Sequence, residues 1–148
     1  LPHKDLARLA EGAPGRALRL AESGAADCYV AVCHLLAAPL LDAPALAAIC
    51  TKLGKGGVDG AILREGAQWL IARLLRLSAI FAGAGLSTDA CEFEYPAIAH
   101  LCAAHSADWL AAAHAEFLKS AQKADGLYLD FVHFLERELT KLYQKSLL

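Results

Sequence analysis

The chain has 148 residues, a formal net charge of −2 and a hydrophobic fraction of 57%. Neutralising phosphates supplies most of the affinity for nucleic acid, so a chain without a basic excess is not built to hold DNA strongly by itself. A membrane span needs about 18 or more uninterrupted apolar residues, and the richest stretch, Ala31 to Cys50, is broken by His34, Pro39, Asp42 and Pro44.

Alanine is abundant, β-branched residues are sparse, and no stretch alternates with period two for long, so an all-α fold of about eight helices is expected. The first helix is expected over Lys4 to Ala10, with Leu6, Leu9 and Ala10 inward. Gly12 ends it, because glycine enters the left-handed region without a Cβ clash, and Pro14 suits the first turn of the next helix. That second helix runs to Ser23. Ala17, Leu18, Leu20 and Ala21 face inward, Arg16, Arg19 and Glu22 face water, and Gly24 closes the pair.

Asp27 is expected to cap a helix to about Ala38, with Val30, Leu35 and Leu36 inward, and Asp42 to cap another with Pro44 in its first turn and Gly54 past its end. Leu53 to Gly60 reads as a loop. Asp59 would then cap the longest helix, Gly60 to Ala82, with a stripe through Leu63, Ala67, Leu70, Ile71, Leu74, Leu75 and Phe81. Arg64, Arg73 and Arg76 lie off that stripe and read as a solvated face. Gly83 to Thr88 reads as a helix stop and turn. Asp89 and Glu92 have capping-box spacing for a helix to about Ala104, and Ser106 caps another through Trp109, Leu110, Ala113, Phe117 and Leu118, stopping near Gly126. Asp130 caps the last helix. Phe131, Phe134, Leu135, Leu139, Leu142 and Tyr143 form its apolar face, and Glu136, Arg137, Glu138 and Lys141 its wet one.

The strings that invite chemistry are weak. Gly83 to Thr88 follows a helix, where a dinucleotide loop needs a strand, and Gly54 to Gly57 lacks the Walker spacing. His100, Cys102, His105 and His114 do not share a helix face at metal-ligand spacing, and no Cys-x-x-Cys occurs. Cys28, Cys33, Cys50, Cys91 and Cys102 are an odd set without framework spacing, which reads as free thiols of a cytoplasmic protein. No catalytic residue, metal or cofactor is expected.

The stretch Leu9 to Glu22, with Ala10-Glu11-Gly12, Pro14, Gly15, Arg16 and Ala17-Leu18, resembles the helix pair that ends the lid domain of AAA+ clamp-loader subunits. In the ATPase members an arginine in this turn reaches the nucleotide phosphates. The corresponding position here is Gly15, which resembles the non-hydrolysing delta-prime branch of bacterial DNA polymerase III clamp loaders. Leu127 to Asp130 resembles the opening of the last collar helix of the same family. The resemblance implies a lid end at residues 1–25 and a helical collar domain at 26–148. It implies gamma/tau and delta subunits as partners and, through them, the sliding clamp and primed DNA. It also implies that the parent complex is a nucleotidyltransferase although this segment is not catalytic. Phe134, Leu139 and Tyr143 are the candidate subunit contacts. A chain that begins at Leu1 and has no methionine is expected to be part of a longer product. A helical ligand-binding or dimerisation domain of a transcription regulator would also account for the apolar excess, although no converging polar groups for a cavity can be placed. A metal-dependent helical enzyme using the histidines is a third possibility.

Overall fold

A computed structural model describes the backbone of residues 1–85, 89–124 and 128–144, with the side chains of 122–124 and 128–130 left out. Within these residues the chain forms eight α-helices and no strand. They are α1 (His3–Leu9), α2 (Pro14–Glu22), α3 (Ala25–Ala37), α4 (Ala43–Leu53), α5 (Gly57–Ala84), α6 (Tyr95–Ala104), α7 (Ala107–Ala124) and α8 (Tyr128–Tyr143), with a short 3-10 turn, Glu92–Glu94, before α6. No described helix is long and apolar enough to cross a membrane.

The axis of the fold is α5, whose 28 residues span about 42 Å at 1.5 Å per residue. Its expected stripe is inward: Leu63, Ala67, Leu70, Ile71, Leu74 and Leu75 are buried, and Phe81 is half-buried. Helix α7 packs along α5 most extensively, α3 and α6 cover another side, and α8 closes the bundle against α7, α4 and α6. One continuous core runs from Leu9 and Leu20 through α3 and α5 to Leu139 and Leu142. Gly66 sets the approach of α2 and α3 to α5, because a Cβ there would lie 2.6 Å from the Ala25 Cβ and 3.2 Å from Leu20.

Several local signals stand as read. The Asp42 carboxylate accepts from the Ala45 N–H at 3.0 Å, and the Ser106 hydroxyl accepts from the Trp109 N–H at 3.1 Å. Others are displaced. Asp27 lies in the first turn of α3, and the residue before that helix is Gly24, in the left-handed region. The expected loop is shorter: α5 starts at Gly57, so Asp59 is inside its first turn rather than its cap. The box before α6 uses neither Asp89 nor Glu92. Cys91 is the cap, and Glu94 reaches back to accept from the Cys91 N–H at 2.8 Å. Leu18, Ala21 and Leu118 point outward. The turn at 86–88, the stop at Gly126, and the side chains of the Leu127 to Asp130 string fall outside the described residues.

The largest correction concerns the arginines of α5. Arg64 and Arg73 are buried, not solvated. Arg64 donates to the carbonyls of Leu53 (3.2 Å) and Lys55 (2.6 Å), closing the carboxy end of α4. Arg73 forms a two-pronged pair with Glu94, through Nε at 3.3 Å and Nη2 at 3.1 Å, and also donates to the Asp89 carbonyl at 2.7 Å. The buried Tyr29 hydroxyl donates to the same carboxylate. Helix α8 is held by its own carboxy end: His100 and His105 meet the carbonyls of Tyr143 (3.0 Å) and Leu142 (2.9 Å), and the Tyr143 hydroxyl donates to the Ala38 carbonyl at 2.7 Å.

Two outcomes follow for stability. Glu94→Ala strands a buried guanidinium, and the unfolding free energy in a urea titration should fall by about 3–5 kcal/mol, whereas Arg73→Met with Glu94→Leu should stay nearer the parent. An unmoved urea midpoint in Glu94→Ala would refute the assignment. Burial pulls the His105 pKa below its ordinary value, outweighing the hydrogen bond to Leu142, and the second ring nitrogen is buried without a partner among the described residues. The unfolded chain therefore binds this proton more readily. Stability is complete above the ordinary histidine pKa and is lost as pH falls below it toward the lower folded value. Thermal unfolding should shift down on acidification from neutrality, and His105→Gln should flatten that slope.

Candidate functional site: a groove between α2, α5 and α7

The first turn of the chain sits at one end of a groove. Glu11 and Gly12 both take positive φ, 52° and 81°, and the Gly12 N–H donates to the Ala7 carbonyl at 3.0 Å. This reverses the chain over two residues and delivers Pro14 at the first position of α2. Gly15 is exposed, with open space around the position of a Cβ.

Arg16 was expected in water, yet it turns back. Its guanidinium lies 4.1 Å from the Trp69 ring centroid and donates to the Ala10 carbonyl at 3.3 Å, at the end of α1. The Trp69 indole N–H donates to the Leu9 carbonyl at 3.2 Å. Glu11 pairs with Arg76 across the groove mouth, with both side chains partly exposed. The turn motif therefore presents no cation from Gly15, and the guanidinium of the neighbouring Arg16 lies over an aromatic face.

The groove has a volume of about 520 Å³, within the range of small-molecule sites. Along α5 it follows one face from Ile62 through Glu65, Trp69 and Ala72 to Arg76, while α2 supplies Arg16, Arg19 and Leu20 and α7 supplies His114, Phe117 and Leu118. The floor is apolar and the rim is charged. The Gln68 amide nitrogen is buried and has no partner among the described residues. Burial, then the Arg76 charge, lowers the pKa of His114 on this rim.

The other residues singled out by sequence lie elsewhere. Phe134 and Leu139 are buried in the core, with Phe134 packed 5.6 Å, centroid to centroid, from Phe117. They leave little side-chain area for a partner. Tyr143 is half-buried and stacks on His100 at 4.7 Å. Four of the five cysteines are buried, and Cys102 is half-buried. Burial raises the Cys28 thiol to about 11 and Cys91 to about 12, which leaves both poor nucleophiles at neutral pH. Among the described residues no three His, Cys, Asp or Glu side chains converge on a metal position. Sequence reasoning missed the groove as a whole. No local spacing marked it, because its walls come from three separate stretches of the chain.

No protein-family model matches this chain, and no curated protein or solved structure is similar to it at a significant level.

The Arg16–Trp69 contact is testable by itself. Arg16→Ala should lower thermodynamic stability by about 0.5–2 kcal/mol and shift the tryptophan emission, since the indole loses its covering cation. An unchanged spectrum and an unchanged unfolding midpoint would remove the contact from the account.

Proposed function

We propose that this chain belongs to the delta-prime subunit of a bacterial DNA polymerase III clamp loader, with residues 1–25 as the end of the AAA+ lid and 26–148 as the collar-type helical bundle. The observation that carries the reading is the turn itself. Gly15 stands where the ATPase members of that family carry a phosphate-reaching arginine, and the adjacent Arg16 is engaged by Trp69 and the Ala10 carbonyl. A subunit built this way would scaffold a motor without sensing its nucleotide. Its work is assembly with the gamma/tau and delta subunits, and through them action on the sliding clamp and primed DNA. No catalytic step falls to these residues.

The continuous core supports a mechanical role. Leu9, Ala10 and Leu20 of the first helix pair are buried with the α3 and α5 side chains, so a displacement of the lid end is passed to the bundle by packed contacts. Exposed apolar side chains suited to subunit contact are Leu40, Val58 and Ile80, rather than Phe134 and Leu139.

A second reading, a helical ligand-binding or dimerisation domain of a transcription regulator, is favoured by one observation, the groove beside Trp69. Size-exclusion chromatography separates the two. Mixed with purified gamma/tau and delta subunits, the chain should co-elute with them, and Leu40→Asp or Val58→Asp should weaken that association while leaving the helical circular dichroism intact. Arg16→Ala should leave clamp loading by the assembled complex unchanged. A stable homodimer that ignores the loader subunits would overturn the assembly reading and support the regulator one.

A further inference from the structure

The groove between α2, α5 and α7 has features that subunit assembly does not require. Its length along α5, from Ile62 to Arg76, is about 21 Å at 1.5 Å per residue. Room in it comes from small residues: Ala72 and Ala121 stand where longer side chains would fill the floor between Trp69, Leu20 and Phe117. A floor of this kind takes an apolar body of elongated shape.

The rim specifies charge. Four arginines, Arg16, Arg19, Arg73 and Arg76, line the groove with two glutamates, Glu11 and Glu65. Arg73 is neutralised by Glu94 beneath it and Arg76 by Glu11. Arg16 retains free N–H donors beyond its contact with Ala10, and Arg19, one turn further along α2, makes no hydrogen bond or ion pair among the described residues. Glu65 offsets one of these two charges, so the groove carries one cation in excess. The buried Gln68 amide adds a polar group with no partner among the described residues.

We propose that this groove binds an anionic amphiphile of the fatty-carboxylate class, its carboxylate at Arg16 and Arg19 and its chain along Trp69, Ala72 and Phe117. The planar guanidinium donates in pairs to carboxylate oxygens, which favours this head group over an alcohol or an amine. The apolar floor supplies burial for the chain. The site stands whether or not the chain assembles with clamp-loader subunits, because it is read from the isolated chain.

Isothermal titration of the isolated chain with decanoate, decanol and decylammonium tests it, with Trp69 emission as a second signal. Decanoate should bind saturably at one site, more tightly than decanol, with decylammonium weakest. Arg19→Glu changes an exposed residue and should weaken decanoate about tenfold while sparing decanol. Ala72→Phe should fill the floor and abolish binding of both. If that variant fails to fold, Ile62→Lys at the exposed rim should weaken decanol selectively. Absence of saturable binding, equal affinity for decanoate and decanol, or an Arg19→Glu protein that binds decanoate as the parent does would each overturn the proposal. Failure to co-elute with loader subunits bears only on the assembly reading.

Discussion

The Glu94 carboxylate is fully enclosed, and the geometry of three helices follows from what it needs. A buried charge is tolerated only when it is paired and hydrogen-bonded. Here α5 supplies the guanidinium of Arg73, α3 supplies the Tyr29 hydroxyl, and the chain entering α6 supplies the Cys91 N–H. Each donor approaches from a different element, so the carboxylate can be satisfied in one arrangement of the three. Apolar contact among α3, α5 and α6 is non-directional, whereas the hydrogen bonds of the polar centre are directional. That centre thus selects a register rather than adding much net stability, because desolvating both ions offsets most of their attraction. The thiols around it follow the same electrostatics. Burial first, and then the Glu94 charge, pushes the Cys33 and Cys91 thiols upward and keeps both protonated.

The other nitrogen-bearing side chains of the interior serve helix ends. The last carbonyls of a helix have no partner within it and carry partial negative charge. Arg64 closes α4, Arg16 reaches the end of α1, and His100 and His105 meet the end of α8. This pattern explains how a chain so rich in apolar residues buries arginine and histidine without opposing carboxylates at every site. The histidines singled out by sequence part company in the same way: His100 and His105 are turned to backbone oxygen of α8, and His114 lines the groove.

The sequence was legible wherever the deciding interaction was local. Gly12 and Pro14, Asp42 with Pro44, and Ser106 act on near neighbours in the chain, and their turns and caps form as the spacing implies. The stripe of α5 was legible because the helical period survives across 28 residues. Reading stopped where a distant partner decides. Nothing near Arg73 in the chain reveals that Glu94, 21 residues away, lies against it, so a buried pair looked like a wet face. Asp89 and Glu92 had a suitable spacing, yet Glu94 won the cap because Arg73 and Tyr29 already hold it there. Leu18 and Leu118 fit the helical period but point outward, since α2 and α7 each bury a narrower stripe than their apolar content suggests. The groove was invisible for the same reason: its three walls come from residues 11–23, 62–76 and 114–121, which share no sequence pattern.

The first helix pair and the groove depend on one another. Only Leu9, Ala10 and Leu20 of that pair are fully buried. Leu6 and Ala17 pack half-buried against the core, and the polar part of the attachment lies near the surface: Trp69 to the Leu9 carbonyl, Arg76 to Glu11, and Arg8 to the Ala90 carbonyl at 3.1 Å. Few fully buried side chains and a partly exposed ion pair mark a segment whose local opening costs less than unfolding the core. The Arg16 contact with Trp69 and the Glu11–Arg76 pair are at once the fastenings of this segment and the rim of the groove. A group that fills the groove must meet the same side chains that hold the pair in place. Gly66, by letting Leu20 come close to α5, keeps α2 seated at one end while the alanines leave space at the other. The lining of the groove and the seating of the opening helices therefore draw on the same side chains.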